Sequence, residues 1–259
     1  MTETTQLDTA DLERRVKDVY RHVAEHPDEQ YHFEMGRPLA ERLGYPTTLL
    51  NAIPADSLAS FAGVGYYLDL LGDITGQRVL DLGSGSGTDS FAAAHLAGPS
   101  GSVTGIDMTP EQLAKAEQLR AGADVATVRF VEGYIEHPPV LNGSFDAVVS
   151  NGVINLSADK PAVFQEIARA LVPGGRLALS DIVTERPLTQ AIVCSAELWA
   201  ACIGGAAQVD DYLAAIEAAG LRVQQVRDNP AYAFLSNSAQ GATSTFGVKS
   251  ISLFAVKPT

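Results

Sequence analysis

The chain has 259 residues, of which 46% are hydrophobic, and its formal net charge is −13 at pH 7. This length and composition suit one large domain with an accessory segment, and the negative charge disfavours nucleic acid and membranes as partners, because both nucleic acid and anionic membrane surfaces repel an acidic protein. The two cysteines are too few for a disulfide framework, and the polar first residues lack a signal-peptide pattern. No apolar run approaches the length of a membrane helix, which is about 20 residues. We therefore expect a cytoplasmic protein.

The first 65 residues are expected to form a helical lid. An amphipathic helix is predicted from Asp11 to His26, because apolar residues recur at helical spacing and Pro27 follows. Residues 28–65 contain no long periodic segment, but they are rich in aromatic and apolar side chains. Such a stretch is typical of a packed cover over a functional site. We therefore expect an N-terminal lid of residues 1–65 and a main domain of residues 66–259.

The main domain begins with a strand, loop, helix and strand. Two apolar strands are predicted at residues 78–82 and 102–107, and a helix is predicted at residues 88–97. The loop GSGSG lies between the first strand and the helix, where free backbone N–H groups and the positive end of the helix dipole face a ligand. Its glycines allow a sharp turn and close approach to that ligand. They are Gly83, Gly85 and Gly87.

The residues around this loop indicate which ligand it binds. Asp107 ends the second strand, where a carboxylate can accept hydrogen bonds from both hydroxyls of a ribose. A dinucleotide site has a third glycine where this chain has Thr88. Asp81 and Asp89 flank the loop, and their carboxylates would repel a pyrophosphate but suit a cationic ligand. The stretch therefore resembles motif I of the class I methyltransferases, and S-adenosylmethionine is the expected cofactor.

Strands and helices continue to alternate after this unit. Further strands are predicted at residues 127–131, 145–150, 176–181, 221–226 and 250–256. Further helices are predicted at residues 110–120, 161–171 and 209–219. A lid-like insertion is predicted at residues 182–207, with a helical piece from Gln190 to Cys202. Thr109 and Gln112 fit a capping box, and a polar loop is expected before the last strand. The pattern predicts an α/β fold, a Rossmann-like, seven-stranded, doubly wound and mostly parallel sheet with an antiparallel last strand.

Ligands of such sheets bind beyond the carboxyl ends of the strands. We expect the methionine end of the cofactor at the glycine loop, the ribose at Asp107, the adenine after the second and third strands, and the sulfonium after the fourth. The predicted cofactor-binding residues are Asp81, Gly83, Ser84, Gly85, Gly87, Asp107, Met108, Tyr134, Ile135, Glu136, Asn151 and Gly152. For three of these residues a purely structural interpretation stays open. Met108 is equally interpretable as a packing residue, Glu136 as a solvated loop acid and Asn151 as a cap on the backbone at the strand end.

A narrower resemblance comes from the order of motifs along the chain. VLDLGSGSGTD, VTGIDMT, GYIE, SNGVINL, PGG, LSDIV and CIGGA follow one another over roughly residues 57–220. This order resembles the arsenite S-adenosylmethionine methyltransferases. In that family three cysteine thiolates hold trivalent arsenic, as a soft metalloid requires. Here only the thiolate before the GGA motif is kept, as Cys202, because Gly152 replaces the one after the fourth strand and residues 1–193 contain no cysteine.

The resemblance implies methyl transfer but leaves the acceptor open. Methyl transfer is an in-line displacement in which positioning supplies much of the rate, and a base is needed only when the acceptor loses a proton. The catalytic candidates are His32 and Cys202, with Glu197 as a further weak candidate for a base, and Cys202 is equally interpretable as a small buried residue. Gly152 suggests room for a larger acceptor than a metalloid. The predicted substrate-binding residues are Tyr31, His32, Gly152 and Cys202, and no metal site is predicted.

The sequence therefore predicts an S-adenosylmethionine-dependent methyltransferase that acts on a small-molecule acceptor as a monomer or homodimer. Three alternatives remain at this point. They are an arsenite methyltransferase with a reduced thiol set, a non-catalytic S-adenosylmethionine-binding protein and a nicotinamide-dependent oxidoreductase.

Overall fold

The computed structural model describes residues 7–123, 125–195, 198–199, 203–235 and 237–259. Helices of this part are α1 (Thr9–Glu25), α2 (Gly36–Arg42), α3 (Thr47–Leu50), α4 (Ala55–Ala59), α5 (Thr88–Ala97), α6 (Pro110–Gly122), α7 (Lys160–Ala170), α8 (Gln190–Val193), α9 (Val209–Ala218) and α10 (Asn237–Phe246), with short 3₁₀ turns at Leu68–Leu71 and Ile154–Leu156. Strands are β1 (Arg78–Leu82), β2 (Ser102–Asp107), β3 (Val128–Glu132), β4 (Phe145–Asn151), β5 (Leu171–Thr184), β6 (Ala207–Gln208), β7 (Arg222–Asp228) and β8 (Lys249–Val256).

The strands form one sheet in the order β3-β2-β1-β4-β5-β8-β7. Strands β1 to β5 pair in parallel, and β8 runs antiparallel to both β5 and β7. The order reverses beside β1, which places the carboxyl ends of β1 and β4 at the switch point where such sheets bind ligands. The predicted seven-stranded, mostly parallel sheet with an antiparallel last strand is confirmed. One addition is the two-residue strand β6, which pairs with the end of β5 inside the predicted insertion.

Alternating side chains along each strand supply both faces of the sheet with a hydrophobic core. On β4, Ala147 and Val149 join a cluster with α5 and the N-terminal helices α2 to α4, whereas Val148 joins a cluster with α7 and α9. A third cluster contains Leu12 and Val16 of α1 together with Trp199 of the insertion. The lid segment and the insertion therefore share apolar packing. The division at residue 65 stays a prediction.

Two predicted elements differ from the structure. The segment before the last strand contains α10 rather than only a polar loop, although its sequence NSAQGATSTF is poor in strong helix formers. Ala242 is buried and Phe246 packs against the third cluster, so tertiary burial outweighs weak helix propensity here. Strand β5 begins at Leu171, five residues earlier than predicted, because Leu171 pairs with Phe145 before an irregularity in the register.

The predicted capping box at α6 is wrong. Thr109 occupies the N-cap, but its side chain makes no capping hydrogen bond. Gln112 instead donates to the carbonyl oxygen of Tyr20 at 2.7 Å and accepts from the hydroxyl of Ser86. Its amide therefore joins α1 to the glycine loop. Among the described helices, none has the length and apolar character needed to cross a bilayer.

Candidate functional site

A cavity of about 300 Å³ lies at the carboxyl ends of β1 to β4, beneath α1. The glycine loop forms its floor, and the segments after β2, β3 and β4 form its sides. Its size is at the lower end of the range for small-molecule sites. Predicted cofactor-binding residues that line this cavity are Asp81, Gly83, Ser84, Gly85, Asp107, Met108, Tyr134, Ile135, Glu136 and Asn151.

The glycine loop could not be built from other residues without distortion. Gly83, Gly85 and Gly87 have φ values of 75°, 51° and 92°, in the left-handed region that favours glycine. A Cβ on Gly83 would lie 2.4 Å from Val153, and one on Gly87 would lie 2.7 Å from Phe130. Thr88 occupies the position at which a dinucleotide site has its third glycine. Its hydroxyl donates to the carbonyl of Ser57 in α4 at 2.8 Å. This bond fastens the lid segment to the start of α5.

Asp107 is held at the end of β2 by two main-chain N–H groups. Its Oδ2 accepts from Gly85 and its Oδ1 accepts from Thr109, each at 2.9 Å. Burial raises the pKa of Asp107, and these backbone N–H groups oppose that shift by stabilising the carboxylate. Asp107 lines the cavity, and a carboxylate has acceptor capacity beyond these two bonds, so the group can also accept two ribose hydroxyls.

Asp81 is a buried acid at the end of β1. Burial, followed by the charge of Asp89, raises the pKa of Asp81 to about 8, although the Ser90 hydroxyl donates to it at 2.6 Å and opposes the shift. A ligand that brings a positive charge into the cavity would stabilise the ionised form of Asp81 and lower its pKa. The ammonium of S-adenosylmethionine is such a charge.

Asp89 on α5 is the centre of a buried hydrogen-bond network. Its carboxylate accepts from the hydroxyls of Tyr45 at 2.5 Å and Tyr67 at 3.2 Å, and from the amide of Asn151 at 3.0 Å. Burial raises the pKa of Tyr45 well above its usual range, so this tyrosine remains a donor. The side-chain oxygen of Asn151 also accepts from the main-chain N–H of Val64 at 2.8 Å. Asn151 therefore contacts the lid segment as well as the cavity wall.

The residues present fit S-adenosylmethionine. Ser84 lines the cavity, and its buried hydroxyl lacks a hydrogen-bond partner within the described part of the chain. A buried unpaired hydroxyl is costly, so this group is a candidate to bond a ligand. The described residues that line the cavity include no Lys or Arg, and the carboxylates of Asp81, Asp89 and Asp107 among them disfavour a pyrophosphate.

The adenine side of the cavity contains the residues after β2 and β3. Ile135 is buried, whereas Tyr134 is 43% exposed at the cavity mouth. Lys17 donates to the Tyr134 hydroxyl at 2.8 Å, and that hydroxyl donates to Glu13 at 2.6 Å, so the tyrosine is joined to α1. Glu136 accepts from the Ser157 hydroxyl, which joins the segments after β3 and β4. The roles of these residues toward adenine stay predictions.

Two of the predicted substrate-binding residues, Tyr31 and His32, lie outside the cavity. Tyr31 donates to the carbonyl of His26, and His32 packs edge-on against Phe33 with ring centres 4.6 Å apart. Neither residue lines the cavity. Cys202 and Glu197 lie outside the described residues, so the structure does not place them.

Gly152 does not open the space that the sequence suggested. Its φ of 71° favours glycine, and a Cβ there would lie 3.1 Å from Val64. The backbone conformation and the packing of Val64 therefore explain the glycine. The close approach of Val64 gives no support to extra room for an acceptor at this position, and that role of Gly152 stays a prediction.

Helix α1 belongs to the predicted lid of residues 1–65 and lies along the cavity, although the sequence singles out none of its residues for the site. Its cavity-facing residues are Thr9, Leu12, Glu13, Val16 and Tyr20. The apolar stripe of α1 did predict a buried face, but helical spacing alone cannot show whether that face covers a core or a ligand. Tyr45 and Tyr67 were missed as partners of Asp89 for a similar reason, since aromatic residues in an irregular segment carry no local signal for their contacts.

The comparison with protein families gives one match over most of the main domain. The family described as methyltransferase domain matches residues 74–220, which include the glycine loop and every strand from β1 to β6. The chain belongs to the methyltransferase domain family. The predicted resemblance to the methyltransferases is confirmed at the level of this family.

Individual relatives agree with the narrower resemblance. The chain is 39% identical over 187 residues to an arsenite methyltransferase of Halobacterium salinarum, covering 72% of this chain and 48% of the relative. It is 44% identical over 171 residues to an arsenite methyltransferase of Aquipseudomonas alcaligenes, covering 63% of this chain and 49% of the relative. The chain thus spans about half the length of the curated relatives it matches.

A solved structure shows the same likeness over a longer stretch. The crystal structure of an arsenic(III) S-adenosylmethionine methyltransferase from Chlamydomonas reinhardtii is 30% identical, with a TM-score of 0.65, over 87% of this chain and 75% of that protein. The predicted similarity to arsenite methyltransferases is therefore confirmed. Family membership does not support the nicotinamide-dependent alternative.

Proposed function

We propose that this protein transfers the methyl group of S-adenosylmethionine to a small organic acceptor. The observation that carries the proposal is the character of the cavity, in which a cofactor-type floor of glycines and carboxylates faces an apolar wall. That wall contains Leu12, Val16, Phe61, Val153 and Leu156. Apolar side chains select an organic acceptor by shape and burial, and they provide no ligand for a metalloid.

The cofactor supplies an electrophilic methyl group on its sulfonium. The chain's own residues then have three tasks: binding, orientation and exclusion of water. Asp107 and the Gly85 N–H form a fixed pair that can hold the ribose, and Asp81 offers a carboxyl to the ammonium. Helix α1 covers the cavity from above. Such positioning can contribute about 7–11 kcal/mol to lowering a barrier.

Methyl transfer by this route is a displacement at the methyl carbon and needs no oxidant or reductant. The bond from sulfur to methyl breaks as the bond from acceptor to methyl forms, and the electron pair stays on sulfur. If the acceptor carries a proton, a base must accept it. Asp89 lines the cavity, whereas His32 does not, but three donors already bond the Asp89 carboxylate. An acceptor that loses no proton in the transition state is therefore favoured.

The acceptor is identified by supplying methyl-labelled S-adenosylmethionine and measuring label in small molecules. A panel of apolar acceptors with oxygen, nitrogen, carbon or sulfur nucleophiles is tested beside arsenite with glutathione. We expect label in an organic product and none in arsenic. The matched controls are Asp107→Asn, which should strongly reduce transfer at limiting cofactor concentration, and Asp146→Asn, which removes a carboxylate that pairs with Arg78 outside the cavity and should leave transfer unchanged. Tight binding of S-adenosylhomocysteine with no turnover over the whole panel would instead support a non-catalytic binding protein.

A second candidate function is methylation of arsenite. The arsenite methyltransferase names of the relatives favour it. The described residues that line the cavity include no cysteine, and the chain has only two, Cys194 and Cys202. Methylated arsenic that disappears in Cys202→Ser but persists in Cys194→Ser would overturn the organic acceptor and establish this candidate.

A further inference from the structure

Lys160 is a cation in an unfavourable place for its own helix. It is the first residue of α7, where the helix dipole presents positive charge and an acidic side chain would be stabilising. Asp159 before it acts as the cap, with its side chain accepting from the Ala162 N–H at 3.1 Å. A local rule broken in this way usually indicates a role beyond the helix.

The Lys160 ammonium donates to two main-chain carbonyls on either side of Leu156. Its Nζ lies 3.2 Å from the Asn155 oxygen and 2.9 Å from the Ser157 oxygen. Leu156 and Ser157 both line the cavity, and Ser157 also donates to Glu136 on the adenine side. The ammonium therefore fastens the turn that forms the acceptor wall.

The same ammonium lies against the insertion. Its Nζ is 4.8 Å from the centre of the Trp199 ring, within the range of a cation–π contact. Trp199 is 5% exposed, and its indole N–H donates to the Val193 carbonyl at 2.7 Å. A Cβ on Gly205 would lie 1.9 Å from the Asn155 oxygen, so the insertion packs directly on this turn.

We propose that Lys160 is a positioning residue that joins the turn after β4 to the insertion through Trp199, and thereby holds Leu156 and Ser157 at the wall of the methyl-transfer cavity. This inference rests on the proposed function only where it takes the cavity to be the site of methyl transfer. The contact itself is testable without an acceptor.

Among the described residues, two acidic groups on neighbouring elements act on Lys160 without forming an ion pair with it. Asp181 of β5 and Glu136 after β3 act on it through their charges, and the Tyr212 hydroxyl of α9 donates to Asp181 at 2.6 Å. Burial lowers the pKa of Lys160 to about 8, and the two acids oppose that shift. Burial raises the pKa of Asp181 to about 6, so Asp181 is ionised when Lys160 begins to lose its proton. As the pH rises through about 8, the cation–π contact and the charge on both hydrogen bonds are lost.

Trp199 is the single tryptophan of the chain, which makes its fluorescence a direct reporter. Emission is followed from pH 6.5 to 9.5 in a Cys194→Ser, Cys202→Ser background, which removes thiol ionisation from the signal. We expect a transition centred near pH 8 that is absent in both Lys160→Met and Lys160→Arg, because neither side chain titrates in this range. At pH 6.5, emission of Trp199 should also differ between the parent protein and a folded Lys160→Met, because the cation–π contact is lost in the variant. Equal emission of the two proteins at that pH would overturn the proposal.

Cofactor binding tests whether the contact positions the wall. At pH 7, Lys160→Met should weaken S-adenosylhomocysteine binding by about five- to tenfold. The reason is that the turn carrying Ser157 is no longer held, so the Ser157 hydroxyl no longer keeps Glu136 in place. Lys160→Arg keeps the charge and should stay within about threefold of the parent. The matched control is Lys257→Met, since Lys257 also donates to two carbonyls, of Ala168 and Leu171, but away from the cavity.

Thermal unfolding establishes that each variant is folded. If Lys160→Met does not fold, the pH titration of the parent and of Lys160→Arg still decides the proposal. Unchanged cofactor affinity in a folded Lys160→Met would overturn the positioning role. A protein that shows both Lys160 effects but methylates no acceptor would contradict the proposed function and leave the contact established.

Discussion

The Gly85 N–H donates to Oδ2 of Asp107 at 2.9 Å, which joins the glycine loop after β1 to the end of β2. One hydrogen bond thus connects the two parts of the site that are predicted to hold the methionine end and the ribose of the cofactor. Asp107 is therefore expected to act both as a ligand to the ribose and as a support for the loop. Its removal should cost more than a single ligand hydrogen bond.

Replacing Asp107 by Asn should lower the affinity for S-adenosylhomocysteine by about 10- to 100-fold, because a charge-assisted acceptor becomes a neutral amide. Titration calorimetry measures the effect. Asp146→Asn removes a carboxylate that bonds Arg78 at the far end of β1 and should leave the affinity within about twofold. Equal affinities for the two variants would exclude Asp107 from the cofactor site.

This part of the site could be predicted from the sequence because its signals are local. The strand, the glycines and the acid at the next strand end follow each other within 78–107, and the structure places them around one cavity. The spacing of the glycines reflects backbone conformations that few other residues adopt. The same stretch indicated the cofactor through its flanking acids.

The cover of the site could not be predicted in the same way. Tyr45 meets Asp89 across 44 residues of sequence, and Gln112 meets Tyr20 across 92. Such contacts depend on how the lid packs, and an irregular segment has no periodicity that would reveal them. Within the predicted lid of residues 1–65, five residues of α1 and four residues at 60–63 line the cavity, and nothing local in the sequence marks these positions.

Cofactor binding should strengthen as the pH rises toward about 8, because a cationic ligand requires ionised Asp81, whose pKa is about 8 in the free protein. Calorimetry in buffers of different ionisation enthalpy should detect release of a proton on binding near pH 7. Asp81→Asn should abolish the pH dependence. Ser90→Ala removes a hydrogen bond that lowers this pKa and should move the midpoint to higher pH.

The stability of the free protein should show the opposite trend. The unfolded chain releases the Asp81 proton near its usual pKa of 3.8, whereas the folded protein retains it to about 8. Between these values the unfolded state binds fewer protons, so the contribution of Asp81 to the free energy of unfolding falls as the pH rises. Saturating S-adenosylhomocysteine should oppose this fall, and a binding constant that does not vary from pH 6 to 8.5 would contradict the role of Asp81.

Replacing Tyr45 by Phe should reduce the free energy of unfolding by about 1–3 kcal/mol, because buried Asp89 loses its closest donor while the ring is kept. Tyr67→Phe should cost less, since its hydroxyl lies 3.2 Å from the same carboxylate. Urea denaturation measures both. Tyr66→Phe is the control, because the Tyr66 ring packs on Tyr45 with centres 4.7 Å apart but its hydroxyl is outside the Asp89 network. Because both substitutions keep the ring, a loss for Tyr45→Phe no larger than that for Tyr66→Phe would show that the hydrogen bonds to Asp89 do not stabilise this region.

Tyr134→Phe should speed dissociation of S-adenosylhomocysteine by about two- to fivefold, because it removes the hydroxyl that bonds both Lys17 and Glu13 of α1 but keeps the ring beside the adenine side. The contact is exposed, so raising the salt concentration should narrow the difference from the parent protein. Stopped-flow displacement measures the rate. Arg21→Ala breaks an ion pair with Asp18 on α1 that lies outside the cavity and should leave the rate unchanged. If both variants release the ligand at the parent rate, α1 does not control access through Tyr134.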